Sequence, residues 1–278
     1  MTWSTSDGPS PPLEFRSHRE AESADPSIVD WSAYEAVLFD LDGVLTPTAA
    51  VHEQAWRLLF ARWDYSVQDY LTHIDGKPRY DGVRSFLHSR GVRLPEGSPD
   101  DSPGDDTVCA LGNKKNELFN TIIEREGVEP YPGSVALLHH LDRLGLAQAV
   151  VSSSKNAGPV LSAAGLEHRF AVVVDGIVAV ELGLAGKPAP DMFIRAAELL
   201  AVKPVLTVVV EDATSGVAAG AAGGFGLVLG VDRGGHRQAL LDHGATLVVG
   251  DLGETLPAGT ALENAADERA TATTEETL

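Results

Sequence analysis

From about residue 133 onward, short apolar runs rich in β-branched residues alternate with segments of helical pattern. This alternation is typical of a parallel sheet covered by helices on both faces. An earlier apolar run, at residues 36–39, is predicted to join the same sheet. The predicted strands are 36–39, 147–151, 170–174, 205–210, 226–229 and 246–249, and the predicted helices are 134–144, 157–164, 191–200 and 215–222. The predicted fold class is therefore α/β, a doubly wound, Rossmann-like parallel sheet.

The segment between the first two predicted strands has a purely helical pattern, with helices expected at 50–62, 79–90 and 114–126. Because it follows the first strand, we expect a small α-helical cap at the carboxyl edge of the sheet, where open α/β folds bind ligands. The acidic, Pro- and Gly-rich residues 95–106 are predicted to form a solvated loop in this cap. The predicted division is a core of 34–50 and 128–255, a cap of 51–127, and disordered tails of 1–33 and 256–278.

The charge balance excludes several classes of partner. The chain of 278 residues has 21 Lys and Arg against 40 Asp and Glu, a net charge of −19. Binding to nucleic acid or to an anionic membrane needs a basic surface, so neither is expected. A local group of cations would still bind an anionic substrate. No apolar run is long enough to span a membrane, no secretory signal is seen at the start, and Cys109 is the single cysteine, so a cytoplasmic location is expected.

Two carboxylates, Asp40 and Asp42, stand where the first predicted strand ends, and Gly43 then permits a turn. Two unpaired buried carboxylates are unfavourable, and a divalent cation is the usual remedy. A strand-to-loop turn that merely uses Asp and Gly is the alternative reading of this motif alone.

Three later strand ends also carry polar groups. Ser152 and Ser153 precede a helix and offer hydroxyls suited to phosphate, although a helix cap explains them equally well. Lys187 lies in a loop stiffened by two prolines, and Glu211 and Asp212 follow a buried strand. Capping would explain Asp212 but not Glu211. Together the four strand ends predict a Mg²⁺ site beside cations that neutralise a transferring phosphoryl group, with an aspartyl phosphate as intermediate.

This ordered set resembles the haloacid dehalogenase superfamily over roughly residues 36–250. Asp40-Leu41-Asp42-Gly43-Val44-Leu45-Thr46 resembles its first motif, and Ser152, Lys187 and Glu211-Asp212 resemble the other three. The resemblance implies that Asp40 is the nucleophile and Asp42 the general acid/base. It also implies Mg²⁺ binding by Asp40, the backbone carbonyl of Asp42, and Asp212, with Glu211 alongside, and phosphate binding by Ser152 and Lys187.

A closer resemblance is to the β-phosphoglucomutases. The matching substrate-contacting positions are Thr48, His52, Gly76, Arg79, Lys115, Ser154 and Asn156. Arg79 is expected to hold the phosphate that does not react. Pro47 and Asp75 depart from the family pattern, at positions near the expected substrate chamber.

The resemblance implies a monomeric enzyme that interconverts a hexose 1-phosphate and a hexose 6-phosphate. A phosphatase acting on a sugar, cyclitol or disaccharide phosphate is the alternative. A catalytically silent relative that binds a partner is a more remote one.

Overall fold

The computed structural model describes residues 29–75 and 77–257, and within them a six-stranded parallel sheet forms the centre. The strands are β1 Ala36–Phe39, β2 Ala147–Val151, β3 Val172–Val174, β4 Thr207–Glu211, β5 Leu227–Val231 and β6 Leu247–Val249. Their spatial order is β3-β2-β1-β4-β5-β6. The strand order reverses at β1, which lies between β2 and β4. The predicted fold class is confirmed.

Ten α-helices connect the strands in the described part of the chain. They are α1 Thr48–Phe60, α2 Val67–Asp69, α3 Arg79–Ser89, α4 Val108–Glu126, α5 Pro132–Leu144, α6 Ala157–Ala163, α7 Gly176–Leu182, α8 Asp191–Leu199, α9 Thr214–Ala222 and α10 Arg237–Asp242. A π-helical turn, Tyr70–Ile74, stands just before α3. None of these helices is long and apolar enough to cross a membrane.

The strand register determines which side chains meet at the carboxyl edge of the sheet. Phe39, the last residue of β1, pairs with Val150 on one side and Val210 on the other. The residues that follow these partners, Asp40 just after β1 and Glu211 at the end of β4, are therefore level with the end of β2. This edge lies at the reversal of strand order, the usual ligand site of an open α/β sheet.

The core consists of an apolar layer on each face of the sheet. Phe39 and Val210 pack on one face, whereas Leu38 and Val209 pack on the other against Phe193 of α8. Alternate residues of a strand point to opposite faces, so a strand in this position must be apolar throughout. That requirement explains the continuous apolar run of β1.

The helical segment after β1 has an apolar cluster of its own. Phe60 of α1 stacks on Phe86 of α3 with ring centroids 4.0 Å apart, and Trp56 stacks on Phe60 at 5.3 Å. Val83 and Leu111 also belong to this cluster, which links α1, α3 and α4. The cluster is separate from the two layers on the sheet, as expected of a helical cap, while the predicted boundaries at 51 and 127 stay predictions.

Several predicted boundaries differ from those observed. Residues 29–33 do not belong to a tail, because Trp31 is buried in the core and its Nε1 donates to the Thr255 carbonyl at 3.2 Å. Leu256 is buried as well. The rest of the two predicted tails, residues 1–28 and 258–278, lies outside the described residues. Helix α4 begins at Val108 rather than at 114, because Thr107 caps it by accepting from the Ala110 amide.

Candidate active site

Lys187 joins the ends of three neighbouring strands. Its Nζ donates to Asp40 Oδ1 at 2.5 Å, to Glu211 Oε1 at 2.6 Å and to the Val151 carbonyl at 3.0 Å. These acceptors match the three donors of an ammonium group. Burial alone would lower the pKa of Lys187, but the charges of Asp40 and Glu211 outweigh it and raise that pKa. Lys187 therefore stays charged at neutral pH.

Asp42 turns away from Lys187, toward helix α1. Its Oδ1 accepts a 2.5 Å hydrogen bond from Thr48 Oγ1 and lies 3.3 Å from His52 Nε2, and Ser152 Oγ lies 3.4 Å from Oδ2. Burial opposes ionisation of Asp42, but the contacts with His52 and Thr48 lower its pKa to about 2. The two carboxylates of the first motif thus have different surroundings, and Asp42 is an ionised group able to accept a proton.

Asp40, Glu211 and Asp212 bring their carboxylate oxygens within 4.8 Å of one another. Two glycines make this approach possible. A Cβ on Gly43 would lie 1.8 Å from Asp212 Oδ2, and one on Gly216 would lie 1.7 Å from Glu211 Oε1. Burial, followed by the effects of neighbouring charges, raises the pKa of Asp212 well above its usual value. A divalent cation binds preferentially to several oxygen ligands that lie close together, and it offsets their negative charge, which burial disfavours. This cluster could therefore hold a metal ion.

The capping alternatives for these strand ends do not apply. The N-cap residue of α9 is Ala213, whose amide donates to Glu211 Oε2 at 2.9 Å, so Asp212 does not cap that helix. The N-cap residue of α6 is Asn156, which makes no side-chain capping bond. The Ser153 Oγ is buried and lacks a hydrogen-bond partner within the described chain. Ser153 also lines the cavity described below.

The helical segment contributes two cations to the site, Arg79 and Lys115. Lys115 is buried, and its Nζ contacts His52 Nδ1 and lies 4.8 Å from the Phe119 ring centroid. Burial and the nearby charge of Arg79 lower the pKa of Lys115 from 10.5 to about 7. Burial also lowers the pKa of Arg79. Among residues 29–75 and 77–257, neither cation forms an ion pair with a carboxylate.

Asn116 links the helical segment to the sheet domain through one oxygen. Its Oδ1 accepts from Arg79 Nη2 at 2.8 Å and from Asn156 Nδ2 at 2.6 Å. Asn156 follows β2, whereas Arg79 begins α3. The two parts of the chain therefore touch directly beside the cavity.

A cavity of about 330 Å³ lies between the strand ends and the helical segment. It is lined by most of the predicted site residues: Asp40, Asp42, His52, Arg79, Lys115, Ser153, Ser154, Asn156, Lys187, Glu211 and Asp212. Thr48 and Ser152 stand behind this lining and contact Asp42. Gly76 lies outside the described residues. The roles assigned to these residues stay predictions, but the eleven residues named above line one cavity.

The sequence reasoning missed several residues of the lining. Tyr70, on the π-helical turn, and Ser215, on α9, both face the cavity, and the Ser215 Oγ is buried without a hydrogen-bond partner in the described chain. Tyr80, Arg84 and Glu96 line it as well. The residue pattern gave no signal for Glu96, because Glu96 lies in the loop of residues 95–106, which was predicted only to be exposed to solvent.

Comparison with known proteins determines the family. Residues 34–224 match the model of the haloacid dehalogenase-like hydrolases. The chain belongs to this family. It is 47% identical over 238 residues to a β-phosphoglucomutase of Mycobacterium tuberculosis (strain CDC 1551 / Oshkosh), a match that covers 80% of this chain and 91% of the relative.

Two further matches are to a sequence relative and to a solved structure. Hexitol phosphatase A of Escherichia coli (strain K12) is 32% identical over 189 residues, covering 67% of this chain and 78% of the relative. The crystal structure of a β-phosphoglucomutase from Clostridium difficile superimposes with a TM-score of 0.68 at 24% identity, over 86% of this chain and 99% of that chain. The structural likeness supports the fold.

Proposed function

We propose that this protein is a Mg²⁺-dependent phosphosugar mutase that interconverts β-glucose 1-phosphate and glucose 6-phosphate through an aspartyl phosphate. The family supports phosphoryl transfer, and the 47% identical relative bears the name β-phosphoglucomutase. The observation that carries the proposal is the pair of cations that line the same cavity as Asp40, the buried Lys115 and the partly buried Arg79. A mutase must hold two phosphates at once, whereas a hydrolase needs to hold one.

The two cations suit a second phosphate because neither forms an ion pair with a carboxylate within the described chain. Each has its pKa lowered by burial, so its charged form is unfavourable in the cavity as it stands. A phosphate dianion would reverse that effect by supplying the opposite charge. Asn156 and Ser154 line the same part of the cavity and offer neutral donors to the phosphate oxygens.

The reacting phosphate would lie at the strand ends. An Asp40 oxygen attacks phosphorus, the bond from phosphorus to the sugar oxygen breaks, and that oxygen takes the proton that Asp42 accepted in the preceding transfer. In the other transfer the second sugar hydroxyl attacks the aspartyl phosphate, ionised Asp42 takes the proton of that hydroxyl, and the bond from phosphorus to the Asp40 oxygen breaks. Lys187 and the Ser153 hydroxyl compensate the charge of the phosphoryl oxygens.

Asp40, Asp212 and Glu211 would hold Mg²⁺, together with the backbone carbonyl of Asp42. When bound, the ion would offset negative charge on the phosphoryl oxygens. The cluster fits such an ion because its oxygens converge and because burial disfavours their charged forms.

Hydrolysis of a sugar, cyclitol or disaccharide phosphate is the second candidate. Besides hexitol phosphatase A, a trehalose-phosphate phosphatase of Mycobacterium leprae (strain TN) is 39% identical over 131 residues, 46% of this chain and 29% of that relative. Asp75 lines the cavity and departs from the mutase pattern. Its negative charge would repel the second phosphate of a sugar bisphosphate. This would favour transfer of the phosphoryl group to water over transfer to a sugar hydroxyl.

The test supplies purified protein with Mg²⁺, β-glucose 1-phosphate and a trace of the 1,6-bisphosphate. Glucose 6-phosphate and inorganic phosphate are then measured in the same reaction. We expect glucose 6-phosphate to dominate, and Asp40→Asn protein to form neither product. If inorganic phosphate dominates, the mutase proposal is wrong and the phosphatase stands. The monomeric state and the cytoplasmic location remain part of the proposal, and sedimentation of the purified protein tests the first.

A further inference from the structure

The turn that follows β1 is closed by hydrogen bonds of its own backbone. The Gly43 amide donates to the Thr46 carbonyl at 2.7 Å, and the amides of Leu45 and Thr46 both donate to the Leu41 carbonyl at 3.0 Å. Gly43 has a φ of 88°, in the left-handed region that favours glycine. Because glycine has no side chain, it restricts the backbone least of all residues, so contacts from other parts of the chain must fix this turn.

Three successive carbonyls of the turn bond to other elements of the core. Those of residues 44 and 45 accept from two groups at the start of α5, the Ser134 hydroxyl at 2.7 Å and the Tyr131 amide at 2.9 Å. The first of the three, the Gly43 carbonyl, accepts from Arg233 Nε at 3.3 Å. Arg233 follows β5, so the turn is held by two separate parts of the chain.

The guanidinium of Arg233 has further partners that fix its position. Its Nη1 donates to Asp251 Oδ2 at 2.7 Å and to the Gly250 carbonyl at 3.1 Å. The guanidinium carbon lies 3.8 Å from the centroid of the Tyr131 ring, a favourable cation–π contact. Asp251 is held in turn, because its Oδ1 accepts from the Gly253 amide at 2.8 Å. The Arg233 side chain therefore connects the chain after β6 to the turn after β1.

The backbone around Arg233 is fixed as well. The carboxylate of the preceding residue, Asp232, accepts from four consecutive amides, those of residues 234–237, at 2.6–3.2 Å. The Asp232 amide donates to the Val249 carbonyl at 2.7 Å. An arginine whose backbone and head group are both held can keep the Gly43 carbonyl at a defined position.

The hydrogen bonds on either side of Gly43 determine the directions of two successive peptide planes. Both peptides are trans, so the N–H and the C=O of each plane point in opposite directions. The bond from the Gly43 amide to Thr46 therefore fixes the direction of the Asp42 carbonyl, which is one of the predicted Mg²⁺ ligands. The bond from Arg233 fixes the next plane. Together they define the conformation of a residue that has little conformational preference of its own.

The position of Gly43 also limits the space of a second predicted metal ligand. A Cβ on Gly43 would lie 1.8 Å from Asp212 Oδ2, so the backbone of Gly43 is packed directly against that carboxylate. A shift of the turn would move both the Asp42 carbonyl and the wall against which Asp212 rests. Arg233 itself is not among the residues that line the cavity as described.

We propose that Arg233 is a positioning residue for the metal site and that it acts through the Gly43 carbonyl. It holds the Asp42 carbonyl and the Asp212 carboxylate where a divalent cation can bind both. The proposal rests on the proposed function, which places Mg²⁺ at the strand ends. Removal of a group that orients metal ligands typically lowers metal affinity about 10- to 100-fold. A residue that only joined the ends of β5 and β6 would affect stability and leave the affinity of the folded protein unchanged.

The experiment measures the affinity of the substrate-free protein for Mn²⁺ by calorimetry, at a temperature where thermal unfolding curves show each variant to be folded. Arg233→Met removes every donor, so Mn²⁺ should bind at least about tenfold more weakly. Arg233→Lys keeps a positive charge beside Asp251 and Tyr131 but lacks the Nε–H that bonds to Gly43. It should unfold close to the wild-type temperature and still bind Mn²⁺ more weakly than the wild type. Arg237→Met is the matched control, because Arg237 is exposed at the start of α10, and it should retain the wild-type affinity.

Wild-type Mn²⁺ affinity in Arg233→Lys, or in folded Arg233→Met, overturns the proposal, because the contact with Gly43 then has no effect on the metal site. An equal loss of affinity in Arg237→Met also overturns it. Failure of the proposed function has different signatures. Absence of Mn²⁺ binding by the wild type contradicts the metal-dependent function and this proposal with it. Inorganic phosphate in place of glucose 6-phosphate contradicts only the mutase, and the role of Arg233 then stands.

Discussion

Replacing Lys115 by methionine is expected to stabilise the folded protein and to weaken substrate binding. Lys115 is 3% exposed, and its Nζ contacts a histidine ring nitrogen rather than a carboxylate. Burial and the neighbouring Arg79 lower the pKa of Lys115 from 10.5 to about 7. Methionine is similar in length and adapts to irregular apolar surroundings, so it can pack beside Phe119 without a charge.

The size of the effect follows from the pKa shift. Because the folded-state pKa of Lys115 is the lower one, the unfolded chain binds more protons between pH 7 and 10.5. Wild-type stability therefore rises as the pH rises through this window and is lowest below pH 7. The buried ammonium costs at most about 5 kcal/mol at pH 6 and about 2 kcal/mol at pH 9.

Urea unfolding at pH 6 and pH 9, without phosphate in the buffer, measures this difference. Lys115→Met should raise the free energy of unfolding at both pH values, and by more at pH 6. Lys114→Met is the matched control, because Lys114 is an exposed neighbour paired with Glu117 at 3.0 Å. The reasoning is refuted if Lys115→Met destabilises the protein at pH 6, or if its gain is equal at the two pH values.

Three further substitutions test the centre at the strand ends and the second phosphate position. Asp40→Asn removes the nucleophile, so acetyl phosphate with Mg²⁺ should give no aspartyl phosphate by mass spectrometry, and a persistent adduct would assign the nucleophile elsewhere. Gly43→Ala places a Cβ 1.8 Å from Asp212 Oδ2 and should displace that carboxylate. The affinity for Mn²⁺, measured by calorimetry, should therefore fall at least about tenfold. Retained affinity would show that Asp212 is not a metal ligand. Arg79→Ala should increase the share of inorganic phosphate formed from β-glucose 1-phosphate, and an unchanged product ratio would argue against a second phosphate there.

The buried strands were the most predictable part of the fold. β1 and β2 have the predicted bounds, since a strand covered on both faces must be apolar along its length. β4 extends one residue further than predicted, to Glu211, because that residue pairs with Gly230 of β5 and its carboxylate is neutralised by Lys187. A single sequence does not reveal such a partner.

Helix α7, Gly176–Leu182, was missed for a physical reason. Its apolar side chains do not follow a helical period with a polar face, since Ile177 and Val180 are both exposed. Its clearest signals are at its ends, where Asp175 caps the first turn and Gly183 adopts the left-handed conformation. A search for end signals rather than for periodicity would have found it.

The candidate site likewise has one part that the sequence predicts and another part that it does not. Asp40 and Glu211 could be predicted to meet because parallel strands bring their carboxyl ends to one edge. The prediction that Lys187 also stands at a strand end is wrong, because Lys187 lies in the loop between α7 and α8 and reaches the two carboxylates from there. The contact of Asn116 with Asn156 and the position of Glu96 depend on how the helical segment packs over that edge. Those contacts arise from loop geometry, for which the residue spacing holds no rule.

Two lysines in one cavity have opposite electrostatic situations, and the difference bears on how substrate is held. Lys187 has three oxygen acceptors and a raised pKa, so its charge is compensated before any ligand arrives. Lys115 has a lowered pKa and no carboxylate partner in the described chain. A phosphate dianion beside Lys115 would restore the charged form of that side chain, so above pH 7 binding should take up a proton. The free energy that burial of Lys115 costs would then be recovered only in the complex with a second phosphate.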